Sequence, residues 1–481
     1  MSIVGMGLSL VLGLVGCKGK QGEPEGEPEA KAEVAPQAQN DAANAPKPAS
    51  TANRSGIVWI HNDYKKAISL AREQSKPLVI DMWAGWCHTC LAMKKGTLAD
   101  PGLAEIADDV IWLAIDTEDP SSADVMAKFP PKVWPTFFVV SPADETVQAS
   151  QLGSCSVGDF REFVDRGSRA HREALEAGGK LAPGSALAYL RDGDRAWMDN
   201  EYQAAADAYA AARKAGGDGW RPKAQSLKNQ LAALHKLEDK KDCAALATRE
   251  LTFMAEQHSS SGVDFIYFAA SCAGALGEAE ANVLRARSLA ALRGIIDDAQ
   301  ASLSADDRSD ALASARGIAL ELGDTGLATS LAREQQALLA TAVAAATTPL
   351  EEMTYVWHQV EVHAYLGLGE DILPWVQQLE AKLPTEYDPP YRQAWLLLSM
   401  KRYAEAHAAV QRALPLSSGA RRGRILGLDA SIYKAEGKTA KEREVRMAVV
   451  AHFEDLAEGL ASDAKLTSAK KALAEMDAPA P

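Results

Sequence analysis

The stretch Trp83-Ala84-Gly85-Trp86-Cys87-His88-Thr89-Cys90 constrains this chain more than any other. It follows the apolar run Pro77 to Met82 and precedes a segment of helical character from Leu91 to Leu98. A strand that turns into a helix opening on Cys-x-x-Cys sets the first sulfur among unpaired backbone N–H groups. There the positive end of the helix dipole favours a thiolate. Cys87 is then the nucleophile and Cys90 its resolving partner.

At 481 residues the chain has room for two or three domains, each with its own core. A composition of 47% hydrophobic and 24% charged residues is that of an ordinary globular protein. The net charge of −14, with no clustered basic segment, argues against nucleic-acid binding. Six cysteines are too few for a disulfide-dense scaffold. Cys243 and Cys272 lie in apolar helical surroundings and read as buried small hydrophobes rather than reactive groups, with a disulfide between them left open.

Residues 1–17 read as a signal peptide. Their apolar run is shorter than the roughly 20 residues that span a bilayer and suits an h-region. Leu14-Val15-Gly16-Cys17 resembles the lipobox of bacterial lipoproteins, which implies cleavage before Cys17 and its lipidation. No Lys or Arg precedes the run, a departure from the usual basic start, and an ordinary secretory signal is the alternative. Residues 18–55 are mainly Pro, Ala, Glu, Gln, Asn and Gly and read as a disordered linker. As a flexible coil it would reach about 35 Å.

Residues 56–175 carry an α/β pattern. A short apolar stretch, Ile57–Ile60, opens it, and strands are expected at Leu78–Met82, Val110–Ile115, Thr136–Val140 and Thr146–Leu152, the last alternating as an edge pair would. Helices are expected at Tyr64–Glu73, after Cys87, at Ala123–Phe129, and from Ser156 through Phe160, Phe163 and Val164. This order, with Cys-x-x-Cys at the end of the first long strand, resembles the thioredoxin fold over about Ile57 to Arg169. Asp81-Met82-Trp83-Ala84-Gly85-Trp86-Cys87 is similar to that family's Asp-Phe-Trp-Ala-x-Trp-Cys segment, and Val133-Trp134-Pro135-Thr136 to its loop containing a cis-proline.

The resemblance implies that a Cys87–Cys90 disulfide is the redox-active group, with no further cofactor and no metal. It implies that Asp81 is a buried carboxylate relaying the Cys90 proton, and that Pro135 packs beside the disulfide. Trp86, Trp134 and Thr136 are then the substrate-contact residues, while Trp83 packs in the core. His88 either favours the thiolate as an imidazolium or is an exposed spacer. A zinc set from Cys87, His88 and Cys90 lacks a fourth ligand and is set aside. Cys155, after the last strand, is an incidental thiol or a third redox cysteine.

Beyond Gly178-Gly179 and Pro183-Gly184 the strand signals disappear, and residues 182–476 read as an all-α domain. Tyr202, Ala205, Tyr209 and Ala212 recur in spacing as Tyr403, Ala406, Val410 and Ala413, after the turns Asp199-Asn200-Glu201 and Lys401-Arg402. This pattern resembles the second helix of a tetratricopeptide repeat, with Gly193 and Gly323-Asp324 at inter-helix positions. It implies a solenoid whose concave face binds a protein partner; an irregular helical spacer is the alternative.

Together these features give an exported, lipid-anchored thiol–disulfide oxidoreductase on the periplasmic side of a bacterial membrane. Its partners would be protein thiols and disulfides, a membrane electron donor and a protein on the repeats. The competing readings are an interaction scaffold with a redox-sensing or vestigial domain, and a delivery factor for haem or copper assembly.

Overall fold

The computed structural model describes residues 55–176, 181–456, 460 and 463–476. The signal segment with Cys17, the linker through Arg54 and the Gly178-Gly179 boundary lie outside the described residues. Among the described residues no helix is long and apolar enough to cross a membrane.

The first part is a five-stranded mixed sheet built from β1 (Trp59–His61), β2 (Leu78–Trp83), β3 (Ile111–Asp116), β4 (Thr136–Val140) and β5 (Val147–Leu152), in the order β1-β3-β2-β4-β5. β3 runs parallel to β1 and β2, whereas β4 is antiparallel to β2 and β5. The connecting helices are α1 (Tyr64–Gln74), α2 (His88–Lys95), α3 (Ala123–Lys128) and α4 (Val157–Glu176). The two-residue period of β2 sends Leu78, Ile80 and Met82 toward α1 and α3, where they pack with Ala67, Ile68, Val125 and Phe129. Val79 faces the other way, toward Met93 of α2 and Phe160 and Phe163 of α4. Asp81 shares the parity of Val79, so the same alternation turns this carboxylate toward the side covered by α2.

The edge strand β5 alternates in sequence, yet all six of its residues are buried. The helical region supplies the cover. Asp194 accepts a hydrogen bond from the Ser150 amide at 2.8 Å, Arg195 donates to the Val147 carbonyl at 3.0 Å, and Lys228 donates to the Leu152 carbonyl at 2.7 Å. Side chains thus satisfy the row of backbone groups that an edge leaves unpaired.

That region comprises α5 (Ala186–Met198), α6 (Tyr202–Gly216), α7 (Lys223–Lys236), α8 (Lys241–Ala255), α9 (Ser260–Cys272), α10 (Glu278–Asp297), α11 (Ala305–Glu321) and α12 (Thr325–Ala344). It continues through α13 (Pro349–Met353), α14 (Val356–Leu366), α15 (Gly369–Lys382), α16 (Asp388–Ser399), α17 (Tyr403–Ala413), α18 (Gly419–Ala435), α19 (Thr439–Glu454) and α20 (Asp463–Ala474). Ala205, Tyr209 and Ala212 of α6, and Ala406, Val410 and Ala413 of α17, are all buried.

Five hairpins share one turn. The pairs α5/α6, α11/α12, α14/α15, α16/α17 and α18/α19 each pass through a single left-handed residue: Asn200, Gly323, Gly367, Lys401 and Gly437. In each, the next amide returns to the carbonyl five residues earlier, as Glu201 to Ala196, Asp324 to Ala319, Leu368 to His363, Arg402 to Leu397 and Lys438 to Tyr433, at 2.8–2.9 Å. This is the Schellman closure, which caps the outgoing helix and reverses the chain. Between the first two such hairpins the architecture changes: a disulfide joins Cys243 of α8 to Cys272 of α9, with a Cα–Cα separation of 5.7 Å. The two cysteines are therefore a covalent staple, not merely buried small hydrophobes.

Candidate active site

The turn after β2 delivers Cys87 to the N-cap position of α2. Its backbone is extended, and its sulfur accepts a hydrogen bond from the Cys90 amide at 3.0 Å. Sulfur thus takes the part an Asp or Ser side chain usually plays at a helix start. The helix runs from His88 to Lys95 rather than from Leu91 to Leu98, because Cys87 itself caps it and Gly96 ends it. Cys87 and Cys90 are joined as a disulfide with a Cα–Cα separation of 5.1 Å.

Three tryptophans pack around this disulfide, Trp83, Trp86 and Trp134. Trp86 and Trp134 lie with ring centroids 5.6 Å apart. The Trp134–Pro135 peptide bond is cis, and Trp134 donates its indole N–H to Thr117 at 2.9 Å. Thr136 is buried and its hydroxyl donates to the Val133 carbonyl at 2.7 Å, which fixes the turn before β4.

Asp81 is buried, and its Oδ1 has no hydrogen-bond partner among the described residues. Burial pushes its carboxyl up to about 6, against the opposing pull of Lys94. Burial in turn brings the Lys94 amine down to about 8, with Asp81 acting against it. Lys94 lies 2.7 Å from the Trp83 ring centroid. Sequence reasoning passed over Lys94, although its position four residues after Cys90 places both on one face of α2.

His88 is not an exposed spacer. It is buried, with Nδ1 2.9 Å from both carboxylate oxygens of Asp306 on α11, and its ring packs edge-on against His358 of α14 at 4.3 Å. Burial works against charge on His358 and Asp306, yet their mutual hydrogen bond and the surrounding charges prevail. His358 is raised and Asp306 lowered from their ordinary values. Cys155 is a buried free thiol, and burial drives its ionisation far upward.

The helical region also covers the surroundings of the disulfide. Cys87 is 0% exposed and Cys90 2% exposed. Arg421 of α18 stacks its guanidinium 4.1 Å over the Trp86 ring, where the sequence reading places a substrate contact. Tyr387 and Arg421 both engage Glu118, which follows β3, and Ser418 donates to the Glu118 carbonyl at 2.8 Å. Leu91 of α2 is part of the apolar core of α13–α18 rather than of the sheet. None of these partners carries a local signal in the sequence, since they stand hundreds of residues from the dithiol.

The fold and the dithiol together define a thioredoxin-like domain followed by helical repeats. A family model described as thioredoxin-like matches residues 59–142. The thiol:disulfide interchange protein DsbD of Pseudoalteromonas atlantica is 25% identical over 69 residues, which cover 14% of this chain and 12% of that protein. DsbD of Colwellia psychrerythraea is 27% identical over 85 residues, 18% of this chain and 13% of that protein. The matched part is thus about an eighth of the length of these relatives. A tetratricopeptide repeat protein from Parabacteroides merdae aligns with 61% of this chain and 99% of its own, at 11% identity and a TM-score of 0.39.

Proposed function

We propose that this protein is an extracytoplasmic thiol–disulfide oxidoreductase acting on protein disulfides through Cys87 and Cys90. The observation that carries the reading is a Cys-x-x-Cys disulfide at a helix N-terminus, bordered by the cis Pro135 turn and backed by a buried carboxylate. In the reducing direction the Cys87 thiolate attacks a substrate disulfide, forming a mixed disulfide and expelling one substrate thiolate. Cys90, giving its proton to Asp81, then attacks the Cys87 sulfur as a thiolate, closes the Cys87–Cys90 bond and expels the second substrate sulfur as a thiolate, which takes up a proton from solvent. The two electrons pass to the substrate, and a dithiol donor restores the enzyme. Export is supported by the N-terminal sequence and by the Cys243–Cys272 disulfide, a bond that persists in oxidising compartments.

The helical cover favours a second reading, in which the domain senses redox state and the helical region is the working part. Turnover of a protein disulfide by the reduced full-length chain separates the two. The oxidoreductase reading predicts catalysis abolished by Cys87→Ala, with Cys90→Ala accumulating mixed disulfides that survive non-reducing electrophoresis. Equal behaviour of the two variants would contradict the assigned roles, and no turnover by the unaltered chain would favour the sensor.

A further inference from the structure

The four side chains that meet between the dithiol helix and the helical repeats have a use beyond packing. We infer that His88, Asp306, Asp310 and His358 form a closed binding site for a divalent transition-metal ion of the zinc class, clamping the redox domain to its helical cover. The inference is independent of whether the dithiol turns over substrates.

Three elements supply the donors. His88 opens α2, Asp306 and Asp310 stand one turn apart on the same face of α11, and His358 comes from α14. All four are buried, and one donor atom from each lies within 4.8 Å of the other three. Three of the donor–donor separations match the edges of a tetrahedral site. With metal–ligand arms of about 2.0–2.1 Å, the edges of a tetrahedron are about 3.3–3.4 Å long. His88 Nδ1 is 3.3 Å from His358 Nε2, and His358 Nε2 is 3.3 Å from Asp306 Oδ1 and 3.5 Å from Asp310 Oδ1. The shortest edge, His88 Nδ1 to Asp306 Oδ1, is 2.9 Å.

Charge and ligand type agree with this geometry. Two carboxylates placed out of water call for two compensating positive charges, and a dication held by two neutral imidazoles supplies them at once. Two nitrogen and two oxygen donors, with no sulfur, suit zinc and its first-row neighbours rather than copper(I) or calcium. The set also completes what the sequence lacked. His88 finds its companions not in the adjacent cysteines but on helices 218 and 270 residues away. A metal there ties the first turn of α2 to α11 and α14 and holds the helical cover around the disulfide.

The test uses the full-length chain with its disulfides closed, so that the Cys87 and Cys90 sulfurs do not compete as ligands. The chain is stripped with a chelator and titrated with zinc ion alone, read by calorimetry and by metal content after desalting. One equivalent per chain is expected, with His358→Gln and Asp310→Asn each weakening binding at least as much as the roughly 10–100-fold that loss of an outer-shell partner costs. Because these positions are buried, the X-ray absorption edge of zinc in the unaltered chain is measured as well. A first shell of nitrogen and oxygen alone, near about 2.0–2.1 Å, is expected there. No retained zinc, sulfur in that shell, or unchanged affinity in both variants would overturn the site.

Discussion

Asp81 and Lys94 bury opposite charges behind the dithiol without a direct ion pair, and each is displaced by desolvation toward its neutral form. The folded state holds the Asp81 proton to a higher pH than the unfolded chain does. Its contribution to stability is therefore greatest below the unfolded value of 3.8 and is lost as pH rises through about 6. That displacement corresponds to roughly 3 kcal/mol at neutral pH. Asp81→Asn removes the buried charge but also Lys94's counterpart, so a gain of about 1–3 kcal/mol at pH 7.5 is expected. The resolving step should slow at the same time. Urea unfolding at pH 5 and pH 7.5 checks the first effect; an equal pH dependence in variant and parent would contradict it. The role proposed for Cys87 rests on local spacing at a strand-to-helix turn, whereas that proposed for Asp81 came with the resemblance of Asp81–Cys87 to the thioredoxin segment. The setting of His88 was not legible, because a side chain's environment is set by whatever packs on it, and its partners come from α11 and α14.

Among elements, the helical hairpins show why a repeat can be regular in space and faint in sequence. Five turns make the same closure, yet the left-handed position holds Asn200, Lys401 and three glycines, and any residue that tolerates positive φ serves. The Tyr-Ala spacing exposed only α6 and α17, where small residues let helices approach closely. Lys401, with φ of 60°, carries a side chain where glycine is preferred. Lys401→Gly should stabilise the chain by about 0.5–1 kcal/mol, the relief of strain exceeding the added unfolded-state entropy. Gly193 is the opposite case. A Cβ there would lie 2.8 Å from the Tyr209 ring, whose hydroxyl is anchored to Asp194. Gly193→Val should cost about 2–3 kcal/mol, since the anchored ring has nowhere to go. Chemical denaturation of both variants measures these changes, and an opposite sign in either would contradict the packing argument. The helix opening on Cys-x-x-Cys was legible, but its end at Gly96 and the cover on β5 were not. Strand alternation does not reveal which helices will close over an edge.

At the level of the whole molecule, the helical region meets the thioredoxin-like domain along two fronts. One is the β5 edge, sealed by Asp194, Arg195 and Lys228, and the other is the dithiol face, covered by Arg421, Tyr387 and the His88 cluster. The first front joins the sheet to the solenoid. The second lays Arg421 over Trp86 beside the dithiol, so a substrate that is to meet Trp86 has to displace α18. Cys87–Cys90 is proposed as the redox-active pair and Cys243–Cys272 as a structural staple. Equilibration of the full-length chain in glutathione buffers, followed by alkylation and mass spectrometry of each cysteine pair, distinguishes the two. A two-electron midpoint for Cys87–Cys90 is expected within the range of roughly −270 to −120 mV spanned by thiol–disulfide enzymes, with Cys243–Cys272 remaining oxidised throughout. A Cys87–Cys90 bond that resists reduction across that range, or that opens only after Cys243–Cys272, would contradict this assignment.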